Sequence, residues 1–168
     1  MPLFFKTFFA VILVFVLSGC SGTEHRALAD IARDYFQVYA KRSDFERFMA
    51  FYDDNARFND IIYGERLKNK TEIVRFLDWN RGEFAVNQGS RILTVTDQLT
   101  AGNRVITRGY FHRFRYNGQL MGPWLFVIVL EFNGDNKIIK QTDWINYTPR
   151  KDFTGGLDMN QQLLEKPL

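Results

Sequence analysis

The sequence has only one cysteine, Cys20, and only two histidines, His25 and His112, among its 168 residues. A single cysteine cannot form a disulfide within the monomer. The two histidines lack the spacing of a zinc or iron site, and the sequence has neither a glycine-rich phosphate-binding loop nor a serine nucleophile elbow. We therefore expect no metal and no other cofactor.

The chain also lacks a strong excess of charge. Its formal net charge is +3 and its basic residues are scattered, which does not predict a nucleic-acid interface. Hydrophobic residues make up 46% and charged residues 24%, proportions typical of one packed domain and not of a disordered chain. The 17 phenylalanines supply enough aromatic side chains to line an internal cavity.

The first residues have the pattern of a targeting segment. Lys6 supplies a short positive region, residues 8–16 form an apolar run too short to span a bilayer, and residues 17–20 read Leu-Ser-Gly-Cys. This tetrapeptide resembles the lipobox of bacterial lipoproteins. The resemblance implies cleavage before Cys20 and acylation of its thiol by chains such as palmitate. Because Ser21 follows the cysteine, it also implies an outer-membrane location facing the periplasm. The alternative is an ordinary secretory leader with a chance cysteine.

Four segments follow from this pattern. We assign residues 1–19 to a lipoprotein signal peptide, 20–25 to a lipidated tether, 26–148 to one globular domain and 149–168 to a polar C-terminal tail. The sequence shows no internal repeat and no second domain.

The first half of the domain predicts helices. Apolar side chains in residues 25–40 recur mostly at helical spacing. A second helix follows, with Ser43 or Asp44 as its cap, and a third begins after Asn69 or Thr71.

The second half predicts a sheet. Residues 105–114, 124–132 and 137–147 are rich in Val, Ile, Thr and aromatics, and glycine-containing turns separate them, as in an antiparallel meander. Residues 56–64 and 90–97 add shorter strands. The fold class is therefore α+β, with a strongly curved antiparallel sheet covered on one face by N-terminal helices. Both faces of the strand at 124–132 are apolar, and we expect its outer face to meet a second copy in a homodimer.

The order of elements resembles the nuclear transport factor 2-like superfamily, in its SnoaL-like and ketosteroid-isomerase-like branch. The resemblance rests on residues 51–60 before a glycine turn, and on residues 131–134 and 137–139 near the end of the domain. It implies a cone in which helices close one side of the curved sheet and leave a pocket between them.

The resemblance also implies positions for the pocket residues. Asp60 falls where ketosteroid isomerases hold their general base. Tyr110, His112, Gln141 and Asp143 fall on pocket-facing strand positions. Strand alternation independently puts the first two on one face of their strand and the last two on one face of theirs. The other expected pocket residues are apolar or aromatic: Phe36, Trp79, Phe126 and Ile128.

Two of these positions argue against ketosteroid isomerisation. Phe36 corresponds to the helix tyrosine of those enzymes, and Ile128 corresponds to their protonated acid. Neither side chain can donate a hydrogen bond to a developing enolate.

Two functions remain open. The first is a membrane-anchored domain that binds a small hydrophobic ligand, for example a lipid-derived one. The second is a cofactor-independent isomerase, cyclase or hydratase in which Asp60, His112 and Asp143 act as acid and base groups.

Each candidate residue also has a structural alternative. Asp60 can accept hydrogen bonds from amides of the following turn. His112 can pair with a residue across the sheet. A carboxylate such as Asp143 is costly to bury alone, which places it either at a pocket wall or beside a partner such as His112 or Arg108.

Overall fold

The computed structural model describes residues 20–86, 91–147, 158–161 and 163, with side chains described from residue 26 onward. The predicted signal peptide and most of the predicted C-terminal tail lie outside the described residues. None of the helices in the described part of the chain is long and apolar enough to cross a membrane.

The chain forms three helices in its first half: α1 (Cys20–Lys41), α2 (Phe45–Ala50) and α3 (Lys70–Leu77). Two of the predicted caps are present. The side chains of Asp44 and Asn69 each accept a hydrogen bond, 2.9 Å long, from the backbone N–H three residues further on. These bonds satisfy N–H groups that the helix itself leaves without partners.

Helix α1 is longer than predicted. It begins at Cys20, and the segment expected to be a tether, residues 20–25, is therefore helical. That segment contains no proline, and a helix tolerates a single glycine such as Gly22 at modest cost. Residues 20–25 can therefore be helical, although they precede the apolar residues that pack against the sheet.

The strands, in chain order, are β1 (Tyr52–Asp60), β2 (Glu65–Leu67), β3 (Phe84–Val86), β4 (Leu93–Ala101), β5 (Arg104–Phe111), β6 (Phe114–Tyr116), β7 (Gln119–Met121), β8 (Trp124–Phe132) and β9 (Ile138–Ile145). Six of them form the main sheet in the order β2-β1-β9-β8-β5-β4, and a small sheet has the order β3-β6-β7. The strands of three residues were not predicted, because they are too short to show a two-residue alternation.

The predicted fold class is confirmed, with one correction to the direction of the strands. The fold is α+β with a curved sheet and N-terminal helices. However, β1 runs parallel to β9, which makes the sheet mixed. A pattern of alternating residues does not specify the direction of a strand. The parallel pairing places Asp60 directly beside Asp143.

The alternation predicted for β8 matches its burial. Phe126, Ile128 and Leu130 are at most 3% exposed and face the core, whereas the residues between them are half-buried on the other face. We call the core side of the main sheet its inner face and the other side its outer face.

The centre of the inner face is closely filled. Phe36 of α1 stacks on Phe126, with ring centres 6.0 Å apart. Gly109 makes room for that ring, because a Cβ at residue 109 would lie 2.6 Å from the Phe126 ring and 2.2 Å from the Thr94 carbonyl oxygen. Open space lies to the sides of this centre, between α1 and β4 and towards one end of the sheet.

Candidate functional site

A cavity of about 180 Å³ lies at that end of the inner face. The end of α1, the segment after α3, the small sheet and the ends of β5 and β9 surround it. Aromatic side chains dominate its wall, among them Tyr39, Trp79, Phe84, Phe111, Trp124 and Tyr147.

Three charged side chains also line this cavity: Arg42, Asp78 and Arg81. Within the described residues, no group of three or more His, Cys, Asp or Glu side chains is placed to hold a metal ion.

The aromatic wall is held together by ring contacts. Trp124 meets Tyr147 edge to face at 4.9 Å, and Tyr39 lies parallel to Trp79 at 6.2 Å. Such contacts add to the stability that burial alone provides. The cavity wall is therefore part of the packed core.

A pair of buried carboxyl groups, Asp60 and Asp143, lies next to this cavity. They occupy neighbouring positions on β1 and β9, and they are 2% and 3% exposed. Oδ1 of Asp60 accepts hydrogen bonds from the backbone N–H groups of Ile62 (3.1 Å) and Tyr63 (2.8 Å). Its Oδ2 accepts one from the hydroxyl of Tyr147 (2.7 Å). Asp60 thus has the turn-capping role considered above, and it is one hydrogen bond away from the cavity wall.

Asp143 is held by a chain of buried polar groups. Its Oδ1 accepts a hydrogen bond from Nε2 of Gln141 at 2.8 Å. The amide oxygen of Gln141 in turn accepts hydrogen bonds from the hydroxyls of Tyr35, at 2.8 Å, and Tyr52. This network directs the NH₂ group of Gln141 towards Asp143 and fixes the carboxyl group in place.

The surroundings favour a protonated Asp143. Burial raises its pKa most strongly, the hydrogen bond from Gln141 lowers it, and the negative charge of Asp60 raises it by a smaller amount, so that the pKa is about 8. The carboxyl pair therefore holds a proton at neutral pH. Burial also raises the pKa of Tyr39 and Tyr147, which keeps both hydroxyls as hydrogen-bond donors.

His112 and Tyr110 do not join the carboxyl pair, contrary to the prediction. Because Phe111 lines the cavity, the residues on either side of it point to the outer face. Nε2 of His112 lies 2.9 Å from the hydroxyl of Thr94, and its ring is 5.0 Å from that of Tyr110. His112 is therefore the cross-strand histidine of the structural alternative. The alternation of residues shows which side chains of one strand share a face. It does not show whether that face and a given face of another strand lie on the same side of the sheet.

The other predicted pocket residues also divide into two groups. Trp79 lines the cavity, as expected. Phe36, Phe126, Ile128 and Gln141 are buried at the centre of the inner face and do not line this cavity, although Phe36 lines a pocket of about 410 Å³ between α1 and β4 and Phe126 lines the outer groove of about 670 Å³. The prediction puts the pocket too close to the centre of the inner face, because the sequence does not reveal how completely the helices fill that centre. The side chain of Cys20 lies outside the described residues.

Sequence reasoning missed four residues of this site. They are Tyr35, Tyr52, Tyr147 and Arg42, for which the helical and strand patterns predict no role in a pocket. A signal existed for the tyrosines, since a buried hydroxyl needs a hydrogen-bond partner. The sequence did not indicate which partner each would find.

The outer face carries a separate apolar groove of about 670 Å³. Its lining includes Leu125, Val127, Ile62 and Trp144, and the last two are 52% and 42% exposed. Arg108 also lies here, paired with Asp97 at 2.7 Å, and it is therefore not the partner of Asp143.

A comparison with protein families agrees with this architecture. The model of the SnoaL-like domain matches residues 32–141. The chain belongs to the SnoaL-like domain family. No curated protein matches its sequence.

Several solved structures share the fold of this SnoaL-like chain. A protein from Shewanella putrefaciens CN-32, whose name describes a SnoaL-like polyketide cyclase, has 18% identity and a TM-score of 0.60, with 75% of this chain and 94% of that chain covered. An LEH-like epoxide hydrolase from M. tuberculosis has 14% identity and a TM-score of 0.59, with 84% and 97% covered. An NTF2-like protein from Burkholderia xenovorans LB400 has 21% identity and a TM-score of 0.56, with 83% and 100% covered. At these identities, the similarity establishes the fold.

The proton on Asp143 predicts a pH dependence of stability. Between pH 3.8 and about 8 the folded protein retains a proton that the unfolded chain releases. This group should therefore lower the free energy of unfolding by about 1.4 kcal/mol for each unit of rising pH in that window. Asp143→Asn cannot ionise and should flatten the profile, as measured by urea unfolding from about pH 5 to about pH 8.

Asp135→Asn, in an exposed turn, is the matched control and should keep the wild-type profile. An Asp143→Asn profile as steep as that of the control would show that Asp143 is ionised in the folded protein at neutral pH.

Proposed function

We propose that this SnoaL-like chain binds a small, mainly apolar molecule in the cavity beside the carboxyl pair. The observation that carries the proposal is the cavity itself, in which a mainly aromatic wall carries several polar and charged groups. Pockets for small molecules have this composition. The names of two structural relatives, a polyketide cyclase and an epoxide hydrolase, also support a small organic molecule.

The size of the cavity limits the ligand. A volume of about 180 Å³ is below the range of roughly 300–1,000 Å³ that is common for drug-sized ligands. The buried part of the ligand is therefore comparable to one or two fused rings. A larger molecule, such as a lipid-derived one, would place only one end inside.

Binding can be tested with indole as a neutral aromatic probe. We expect indole to raise the midpoint of thermal unfolding, because a ligand that binds only the folded state stabilises it. Ile145→Phe adds volume at the cavity wall and should weaken indole binding at least tenfold in calorimetric titration. Val127→Ile, on the outer face, should bind indole like the wild type. If Ile145→Phe and Val127→Ile bind indole with equal affinity, the indole site lies outside this cavity.

A second candidate function is acid–base catalysis without a cofactor, as in an isomerase, cyclase or hydratase. It is favoured by Asp143, a protonated carboxyl group beside the carboxylate of Asp60, since a catalytic group works best with a pKa near the working pH. In this proposal the ionised fraction of Asp143, which grows as the pH rises towards about 8, takes a proton from the ligand and returns one that it gains from the solvent, and Asp60 keeps the hydroxyl of Tyr147 oriented at the cavity wall. His112 has no part in it, because it lies on the outer face.

Proton exchange provides a test that does not require the natural substrate. Acetophenone in D₂O should exchange its methyl protons faster with the protein than without it, as followed by NMR. Asp143→Asn should remove about 100-fold or more of this acceleration. His112→Ala should retain it. Acceleration that survives in Asp143→Asn would rule out Asp143 as the exchanging group.

We further propose that the protein is anchored to a membrane through acylated Cys20. The support is the leader sequence and its lipobox-like end. In a Gram-negative host, mass spectrometry of the N-terminal peptide should find acyl chains on Cys20, and Cys20→Ser should release the protein from the membrane fraction. Ser21→Asp should keep the acyl chains but move the protein to the inner membrane. An unmodified Cys20 in the mature wild type would exclude the anchor.

The outer face supports a homodimer. We propose that a second copy covers the apolar groove, since exposed apolar patches of this kind mark contact surfaces. Trp144→Arg places a charge in the groove and should shift the protein to monomers in sedimentation velocity. Leu120→Arg changes an exposed apolar residue of the small sheet, 45% exposed, and should not. A wild type that sediments as a monomer at all concentrations would contradict the dimer.

A further inference from the structure

Arg42 stands at the cavity wall in a backbone conformation that favours glycine. It directly follows α1, its φ angle is +48°, and its N–H donates a hydrogen bond to the carbonyl oxygen of Val38 at 3.0 Å. Helices commonly end with glycine in this conformation, because other residues are strained there. A strained residue at a cavity points to a role for its side chain.

The guanidinium group of Arg42 is held against aromatic rings. Its Cζ lies 4.1 Å from the centre of the Phe84 ring and 5.3 Å from that of Trp79. Nη2 donates a hydrogen bond to the carbonyl oxygen of Trp79 at 3.3 Å. A guanidinium group has five N–H donors in a planar fork, so most of its donors remain for another acceptor.

The charges around Arg42 leave the wall positive. The nearest acidic residue of the wall, Asp78, already accepts a hydrogen bond from the backbone N–H of Asn80 at 3.0 Å. Arg81 donates to the carbonyl oxygen of Phe76 at 3.4 Å. Among the described residues, no carboxylate forms an ion pair with Arg42 within 4.0 Å. The wall therefore has two cations and one anion.

The carboxyl pair adds little negative charge to the cavity. Asp143 is protonated at neutral pH. Asp60 directs its oxygens to two turn amides and to the hydroxyl of Tyr147. An anion bound in the cavity would therefore contact the positive charge of Arg42, and it would not lie opposite a carboxylate that lacks hydrogen-bond donors.

A second donor on the same wall has no acceptor. Nε1 of Trp79 is buried and, among the described residues, has no hydrogen-bond partner. Buried N–H groups in native proteins are nearly always paired, and an unpaired one destabilises the fold. Trp79 lines the cavity beside Arg42, and a small rotation of its indole ring would turn the buried Nε1 towards an acceptor on a bound ligand that also contacts Arg42.

We propose that the ligand is a small aromatic carboxylic acid bound as its anion. Arg42 binds the carboxylate, Trp79 Nε1 donates a second hydrogen bond to it, and the ring lies against the aromatic wall. This inference rests on the proposed binding function and names its ligand class. The charged end of the ligand lies at Arg42, and its apolar end points towards Tyr147 and the carboxyl pair.

The test compares benzoate with benzamide, which has nearly the same shape but no charge, by calorimetric titration of the full-length protein in detergent. The wild type should bind benzoate about tenfold more tightly than benzamide, because hydrogen bonds to charged groups are the stronger kind. Arg42→Met should bring the two affinities within about twofold. Trp79→Phe keeps a ring, loses the donor and should weaken benzoate binding several-fold.

Two further variants separate ligand binding from folding. Arg42→Gly removes the side chain and also relieves the backbone, so it should unfold no earlier than the wild type and still lose the preference for benzoate. Arg75→Met changes an exposed arginine of α3 outside the cavity wall and should keep the preference.

The outcomes distinguish this inference from the function on which it rests. If benzoate and benzamide bind the wild type equally, the anion preference is overturned while the apolar binding function stands. If the preference survives in Arg42→Gly and Arg42→Met, Arg42 is not its source and the inference is also overturned. If neither probe nor indole binds the folded wild type, the binding function itself fails.

Discussion

The site depends on one constraint, the parallel pairing of β1 with β9. This pairing sets Asp60 and Asp143 side by side on the inner face, where water is excluded. Two neighbouring carboxyl groups cannot both ionise there without a large cost, because burial and mutual repulsion act in the same direction. The protein resolves this by giving Asp60 three hydrogen-bond donors and by leaving the proton on Asp143.

The polar network around Asp143 explains why the pair is tolerated in an aromatic core. Tyr35 and Tyr52 satisfy the oxygen of Gln141, and Gln141 satisfies one oxygen of Asp143. Each member is thus paired, which is the condition under which a buried polar network stabilises a unique packing. The same packing fills the centre of the inner face and leaves this cavity at the end, where α1, α3 and the small sheet do not meet completely.

The cavity combines features that suit recognition of a polar end on an apolar body. Its wall is mostly aromatic, but Arg42 lies against the indole ring of Trp79 at one side, and Tyr39 and Tyr147 line the wall near the carboxyl pair. The fold alone does not specify a reaction, because SnoaL-like folds carry different activities on similar scaffolds. The function of this chain must therefore follow from its own side chains. Phe36 and Ile128, which cannot donate hydrogen bonds, are among the side chains that limit it.

The sequence by itself determined the helices, the long strands, the fold class and which residues of each long strand share a face, because caps, turns and two-residue alternation are properties of neighbouring residues. It also singled out Asp143, since an acid within an apolar strand is costly to bury, whereas Asp60 was singled out by the resemblance to ketosteroid isomerases. Only the tertiary structure decided that β1 runs parallel to β9, that His112 lies on the opposite face from the carboxyl pair, and that the centre of the predicted pocket is filled. These outcomes depend on strand order and on how helices pack across the sheet, between residues as far apart as Tyr35 and Gln141. No short stretch of sequence encodes such contacts.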